Sequence, residues 1–542
     1  MDLQRLLLAA ALSFTLLMIW QAWQQDYNQP PVPVTSQVAT PAAPSDAPQA
    51  PGKDLPATPG SANVATMQAV AGEQRIQVKT DVYDIVIDST GGDLRRVDLR
   101  KYPVSVDEPD HPFRLMDDGE LFHVAQAALL GAEGSVAPNH KQQFRAEKTE
   151  YSMAEGSDTL EVRLNWKDGS GLSVDKIYTF HRDSYVIDVG FEIKNGSGKP
   201  WTGYAYRQLQ RTEPESSSKF IYTYTGGVIY SEEEKYEKIK FEDMKKQNLE
   251  RKIKGGWAAM IQHYFLSAWI PPADETDSYY SKAPGNTYLL GMMSPATTVA
   301  PGASETLKSR LYIGPKLQDH LAEVAPGLEL TVDYGFLTII SKPLFLALEL
   351  IHSLLGNWGW SIIVITILLK AAFYKLSETS YKSMAHMRKV QPKMAALKER
   401  YGDDKQAYQE AMMKIYKEEK INPLGGCLPI LVQIPVFIAF YWMLLETVEM
   451  RQAPFMFWIQ DLSTADPYYV LPLLMGVTML IQHKLNPTPM DPIQARVMLI
   501  LPIAFTFFFL FFPSGLVLYW VVNNTLSIAQ QYYITRVVIA EK

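Results

Sequence analysis

Apolar residues are arranged along this chain in three different ways. They form one run from Leu6 to Trp20 behind Arg5, broken only by Ser13 and Thr15, they alternate with polar residues from about 75 to 325, and they return as long runs after Gly327. The first run suits a secretory signal or a signal anchor. Gln21, Ala22, Trp23 and Gln24 follow it without a small-residue cleavage pattern, and no cysteine stands there to take a lipid. Residues 1–24 are therefore expected to stay as an uncleaved anchor helix. The next stretch, 25–74, has nine prolines between Pro30 and Pro59 and almost no large apolar residue. Such a segment cannot bury enough surface to fold and reads as a disordered tether.

The alternation of DVYDIVID at Asp81–Asp88, repeated in Leu160–Trp166 and Tyr185–Ile193, is the period of a half-buried strand. KDGSG at 167–171 and NGSG at 195–198 are hairpin signals. Residues 75–327 are expected to form a large all-β sandwich. Within it, SEEEKYEKIKFEDMKKQ at 231–247 looks helical but is charged on nearly every side, and reads as a solvated insertion.

A connector, 328–356, contains PLFLALELIHSLL at Pro343–Leu355. With Glu349 and His352 inside it, this piece is too short to span and predicts an amphipathic helix on the membrane surface. Residues 357–536 then hold five apolar runs: Trp360–Tyr374, Leu428–Leu445, Tyr468–Ile481, Val497–Phe512 and Gly515–Ile534. Counting the anchor, they give about six transmembrane helices. Between the first two, Met384, Met387, Met394, Leu397 and Tyr401 keep helical spacing, YGDD at 401–404 interrupts it, and Tyr408, Met412 and Ile415 resume it. That describes a helical hairpin, 378–420, kinked at Pro392. Its methionines form either a coiled seam or an adaptable surface for varied apolar clients.

Charge orients this array. Between Tyr374 and Pro423 there are eleven Lys or Arg against seven acids, and basic loops stay cytoplasmic. The loop Lys484–Arg496 and the short tail 537–542 fall on the same side, so both termini are cytoplasmic and the β domain faces outward. The fold class is a multi-domain membrane protein, and the mean hydropathy of −0.09 conceals it because apolar residues gather at the two ends. A net charge of −7 argues against nucleic-acid recognition. One cysteine, Cys427, builds neither a disulfide framework nor a thiolate zinc site. His111, His123, His140, His181 and His263 show no ligand spacing, and neither a metal, a cofactor nor an enzymatic reaction is expected.

Two features of the apolar half carry candidate chemistry. Tyr519, Trp520, Asn523, Ser527 and Gln530 recur at steps of three or four on the last run, giving a membrane helix one polar face. Lipid rejects such a face, which must turn to other helices or to water. The second is Lys370, where a charge at a helix centre costs roughly 2.5–3.5 kcal/mol. Five positions before Lys375, it could snorkel to the interface. Alternatively it is a fixed cation in a hydrated groove, joined by Thr366 one turn earlier and by Gln433.

Several stretches resemble the YidC membrane protein insertase family in its Gram-negative form. They are NWGWSIIVITILLK at 357–370, MAHMRKVQPKM at 384–394, INPLGGCLPILVQIPVF at 421–437, RQAPF at 451–455, DLSTADPYYVLPLLMGVTM at 461–479 and FPSGLVLYW at 512–520. The resemblance implies a five-helix core in the bacterial inner membrane, with a hydrophilic groove open to cytoplasm and lipid and closed toward the periplasm. It carries groove and contact positions onto Lys370, Thr366, Gln433, Tyr519 and Trp520; Asn523 is added from periodicity. The family commonly has arginine where Lys370 stands, so charge is kept while the bidentate fork is lost. Implied partners are nascent inner-membrane protein clients, the Sec translocon, membrane lipids, and the ribosome and signal recognition pathway at the cytoplasmic loops. Many relatives carry a longer basic tail, so ribosome contact here is expected to rest on the hairpin. A transporter or channel would also need polar faces and a buried cation, but predicts inverted repeats or paired ionisable residues. A membrane-anchored carbohydrate-active enzyme would leave the C-terminal half unexplained.

Overall fold

A computed structural model describes residues 74–132, 135–214, 223–402, 404–419, 428–486 and 492–538. The predicted anchor, nearly all of the tether, Cys427 and the end of the tail lie outside the described residues.

The β domain is two sheets packed face to face, eleven-stranded and nine-stranded among the described residues. Strand Val186–Asn195 shows why they pack: Ile187, Val189, Phe191 and Ile193 point inward while their neighbours are more exposed. Its partners Leu172–His181 and Ser304–Pro315 run antiparallel to it in continuous register. The opposite sheet sends Ile76, Val78, Ile85, Ile87 and Leu209 into the same core, which Trp257 and Trp269 fill.

The two turn signals behave differently. In KDGSG, Asp168 accepts from the amides of Ser170 (3.0 Å) and Leu172 (2.8 Å), and a tight hairpin joins Thr159–Lys167 to Leu172–His181. Gly171 has φ +103°, a conformation side chains avoid, and an added Cβ would meet Gly196 at 3.0 Å. NGSG makes no hairpin, although Asn195 forms the local turn expected of it by accepting from the Ser197 amide at 3.1 Å. Its Nδ2 also donates to the carbonyls of Lys199 and Val299. The following strand, Trp201–Thr212, pairs in the other sheet, so this turn is the crossover between layers. The charged stretch 231–247 is likewise not one helix. Lys235–Ile239 is the edge strand of the nine-stranded sheet, and only Phe241–Lys246 is helical, seated by buried Phe241 and Met244. Charges on an edge strand discourage further pairing.

From Thr338 on, the described residues form eight α-helices: α1 Thr338–Leu355, α2 Trp358–Ala372, α3 Tyr374–Tyr401, α4 Lys405–Glu418, α5 Leu428–Glu446, α6 Val470–Leu485, α7 Pro492–Phe509 and α8 Ser514–Tyr533. The connector helix α1 starts five residues before Pro343, which the chain accommodates inside the helix. With the turn before it, Gly335–Leu355 is the one described straight helix long and apolar enough to cross a membrane, so the expectation from Pro343–Leu355 alone that this piece is too short to span is corrected. α2 and α3 are bent by 65° at a break on Phe373. α3 and α4 fold back on each other, with Val390 and Met394 buried among Met387, Met412, Ile415 and Tyr416. Met387, Met394 and Met412 therefore lie in this seam, and Met384 is not among its residues.

The two halves meet at the end of α5. The His263 ring nitrogen lies 2.8 Å from the Leu445 carbonyl. Arg451 donates to the Pro103 carbonyl at 2.6 Å, Gln452 to the same oxygen at 2.7 Å, and the Arg451 guanidinium lies over the rings of Phe113 and Phe265.

Candidate functional site

Asn357 starts α2 and locks it in place. Its side-chain oxygen accepts from the Trp360 amide at 3.1 Å, as an N-cap should, while its Nδ2 donates to the carbonyls of Pro454 and Phe455. Gly359 lies so close to Phe455 that a Cβ would sit 2.0 Å from that ring. The helix is thus pinned at its first turn, and this fixes where its last turn delivers Lys370.

The Lys370 side chain turns in between the helices. It is 7% exposed, and its Nζ donates to Ser527 Oγ on α8 at 2.7 Å. By contrast Lys375, on the far side of the bend, has a side chain 90% exposed. Ser527 in turn donates to the Asn523 carbonyl at 2.7 Å. Across the gap, Gln433 Nε2 on α5 donates to Asn523 Oδ1 at 2.8 Å. Thr366 is buried and bonded to the Ile362 carbonyl. Among the described residues no carboxylate pairs with Lys370. These groups border a small cleft lined by Thr366, Leu369, Lys370, Phe373, Gln433, Val436, Tyr519 and Asn523.

Five of the six residues predicted for the site therefore come together, and Trp520 does not. Adjacent residues of a helix point about 100° apart, so Tyr519 and Trp520 cannot both face the cleft. The Tyr519 ring stacks on Phe440 at 4.5 Å and on Phe437 at 6.0 Å. Trp520 turns to Phe437, Phe505 and Phe509 instead, at 4.5, 6.1 and 4.7 Å. Sequence reasoning missed Tyr381, whose hydroxyl reaches the Ser527 carbonyl at 3.4 Å from α3. It also missed a second polar edge of α8, where Asn524 meets Thr478 and Gln531 meets Asn486 on the side of α6.

At the opposite end of these helices, loops close the bundle. Asp466, 1% exposed, accepts from Trp458 Nε1 (2.9 Å) and from the amides of Tyr468 (3.0 Å) and Leu471 (2.7 Å), capping α6. Ser514 and Gly515 tie the start of α8 to the Thr464 and Leu462 carbonyls. The cleft is thus built at one end of a bundle whose other end is bound by hydrogen bonds.

Residues 75–347 match the family model for the YidC periplasmic domain, and residues 350–541 match that for the 60Kd inner membrane protein. A Methylococcus capsulatus protein named membrane protein insertase YidC is 54% identical over 96% of this chain and 95% of its own length. This chain belongs to the YidC membrane protein insertase family. A YidC of the same name from Nitrosococcus oceani is 51% identical, with 99% of each chain covered. A crystal structure described as an active YidC insertase with its first transmembrane domain resolved covers 86% of this chain and 93% of its own, at 20% identity and a TM-score of 0.40. The two family models together span residues 75–541, the first covering the β domain and the start of α1 and the second the rest of the helical part.

Proposed function

We propose that this chain inserts inner-membrane proteins into the bilayer, and that the cleft around Lys370 receives the hydrophilic segment of each client. The observation that carries this reading is a buried ammonium with a neutral partner: Lys370 is 7% exposed and bonded to a serine hydroxyl. A cation held away from water without a counter-ion attracts an anion. Two unit charges about 4 Å apart at an effective dielectric near 20 gain about 4 kcal/mol. That is comparable to the roughly 2.5–3.5 kcal/mol cost of placing one charge in the membrane. An acidic client tail entering the cleft recovers much of its desolvation cost there, while the client's apolar segment slides along α5 and α7 into lipid. As that segment gains lipid contact, the tail is released outward. No covalent bond is made or broken.

In this proposal α2, α5, α6, α7 and α8 cross the inner membrane with the N-terminal anchor. The hairpin α3–α4 and both termini lie in the cytoplasm, where the hairpin meets the ribosome and the signal recognition pathway. The Sec translocon is a partner in the plane of the membrane. α1 lies on the outer face of the bilayer, with exposed Ile339, Leu346, Leu350 and Leu354 in the lipid.

The test is insertion of a small single-span client with an acidic translocated tail into liposomes that hold Lys370→Ala, Lys370→Glu or Lys370→Arg, read by protease protection of the tail. Alanine and glutamate are expected to impair insertion and arginine to support it. Equal protection in all three would overturn the charge-based reading.

A further inference from the structure

Lysine is a poor choice for a fixed charge. Its ammonium rides on a flexible four-carbon stem and lacks the planar fork by which arginine fixes itself. In Lys370 that stem starts close enough to the interface to carry the charge out of the cleft, as the exposed Lys375 side chain five residues later illustrates. Something has to hold the ammonium inward.

Among the described residues, the side chain at hydrogen-bond distance from Lys370 Nζ is Ser527. That hydroxyl is itself oriented, because its proton is committed to the Asn523 carbonyl at 2.7 Å. With its donor spent, Ser527 offers Lys370 only lone pairs, so it is a pure acceptor aimed at the ammonium. The platform beneath it is held from two more sides. Tyr381 OH donates to the Ser527 carbonyl at 3.4 Å, and Gln433 holds Asn523 from α5 at 2.8 Å. An ammonium has three donors; Ser527 takes one and leaves the others for a visitor.

We infer that Ser527 is the positioning residue that keeps the Lys370 charge in the cleft, and thereby sets the preference for clients with carboxylate-bearing tails. The inference rests on the proposed function above. Ser527 does not itself recognise the client: it fixes where the cation waits. A neutral tail enters whether Lys370 points in or out, whereas an acidic tail benefits only when the charge is inside. Freeing the lysine therefore lowers the acid preference rather than insertion in general.

The experiment uses the full-length protein in liposomes with two single-span clients that differ by one Asp→Asn change in the translocated tail. Alongside, an amine-reactive water-soluble reagent labels accessible lysines, and the Lys370 peptide is quantified by mass spectrometry. Hydrogen bonds to charged groups are worth enough that Ser527→Ala is expected to raise Lys370 labelling by about tenfold and to lower the Asp-over-Asn insertion ratio toward one. Ser527→Thr, which keeps an oriented hydroxyl, restores both. Adding Ser527→Ala to Lys370→Ala changes the ratio no further. If Ser527→Ala leaves labelling and ratio unaltered while Lys370→Ala abolishes the ratio, the positioning role falls and the charged cleft stands. If Lys370→Ala leaves the ratio unaltered, the charged cleft falls, and labelling alone still decides whether Ser527 holds the lysine.

Discussion

In the β domain, Lys176 is buried beside Asp93, and Arg207 beside Asp277 and Glu275; in the helical half, Lys370 is buried beside a hydroxyl. Lys176 and Asp93 are both fully buried, 3.7 Å apart, and the ammonium also donates to the carbonyls of Gly91 and Ala127. Arg207 bonds Asp277 at 2.7 Å and Glu275 at 3.1 Å. Each of these cations is compensated by acids of the protein itself. Among the described residues, Lys370 has unspent donors and no acid beside it. A compensated buried charge organises a fold, while an uncompensated one remains available to a guest, and this difference points to the helical half as the working part.

The comparison can be broken in several places. Lys370→Glu reverses the charge and is expected to reduce insertion of an acidic-tailed client tenfold or more, since attraction of about 4 kcal/mol becomes repulsion; unchanged protease protection would contradict it. Asp277→Ala leaves the Arg207 guanidinium buried with half its partners and should cost the β domain about 3–5 kcal/mol in denaturant unfolding. Lys370→Met should do the opposite in the helical half, raising its stability by about 1–2 kcal/mol while insertion is lost, because an uncompensated buried charge has been removed. A destabilised Lys370→Met protein would place Lys370 in the same class as Arg207.

The joint between the halves should respond to pH. Burial pushes His263 down to about 4, offset in part by its bond to the Leu445 carbonyl. Because its docked pKa lies below the ordinary 6.5, the docked state binds fewer protons there. Docking is at full strength above about pH 6.5 and weakens as pH falls toward 4. Inter-domain fluorescence energy transfer should drop over that window and lose the dependence in His263→Gln. The smallest effect is expected from the largest change. Deleting most of residues 75–320 should leave basal insertion close to its unaltered level, because the cleft takes every one of its lining residues from the helical half. Loss of insertion with normally folded helices would show that the β domain is part of the working machinery.

The sequence made the repeating parts of this architecture legible. Period-two burial in Val186–Asn195 and the helices from Trp358 onward follow from where apolar residues recur. Thr366, Gln433, Tyr519 and Asn523 reached the same cleft as Lys370 because a polar face within lipid has few places to go. What escaped was whatever depends on distant neighbours. The NGSG turn has the local geometry of a hairpin, and only pairing far along the chain makes it a crossover. Residues 231–247 were decided by the open edge of a sheet. Trp520 lies off the cleft lining because one residue of helical rotation carries a side chain to another face. The contacts of Arg451 with Pro103, and of Tyr381 with Ser527, join segments with no shared pattern.

The break at Phe373 has a mechanical consequence. α3 contains 28 residues, so at 1.5 Å per residue it is an arm of about 42 Å, and a swing of about 10° at the elbow carries its tip through roughly 7 Å. Lys370 sits on the stationary side of that pivot, one turn short of it. Bulky complexes can tug at the far end of the arm while the ammonium barely stirs, so loading and reception are geared apart by leverage.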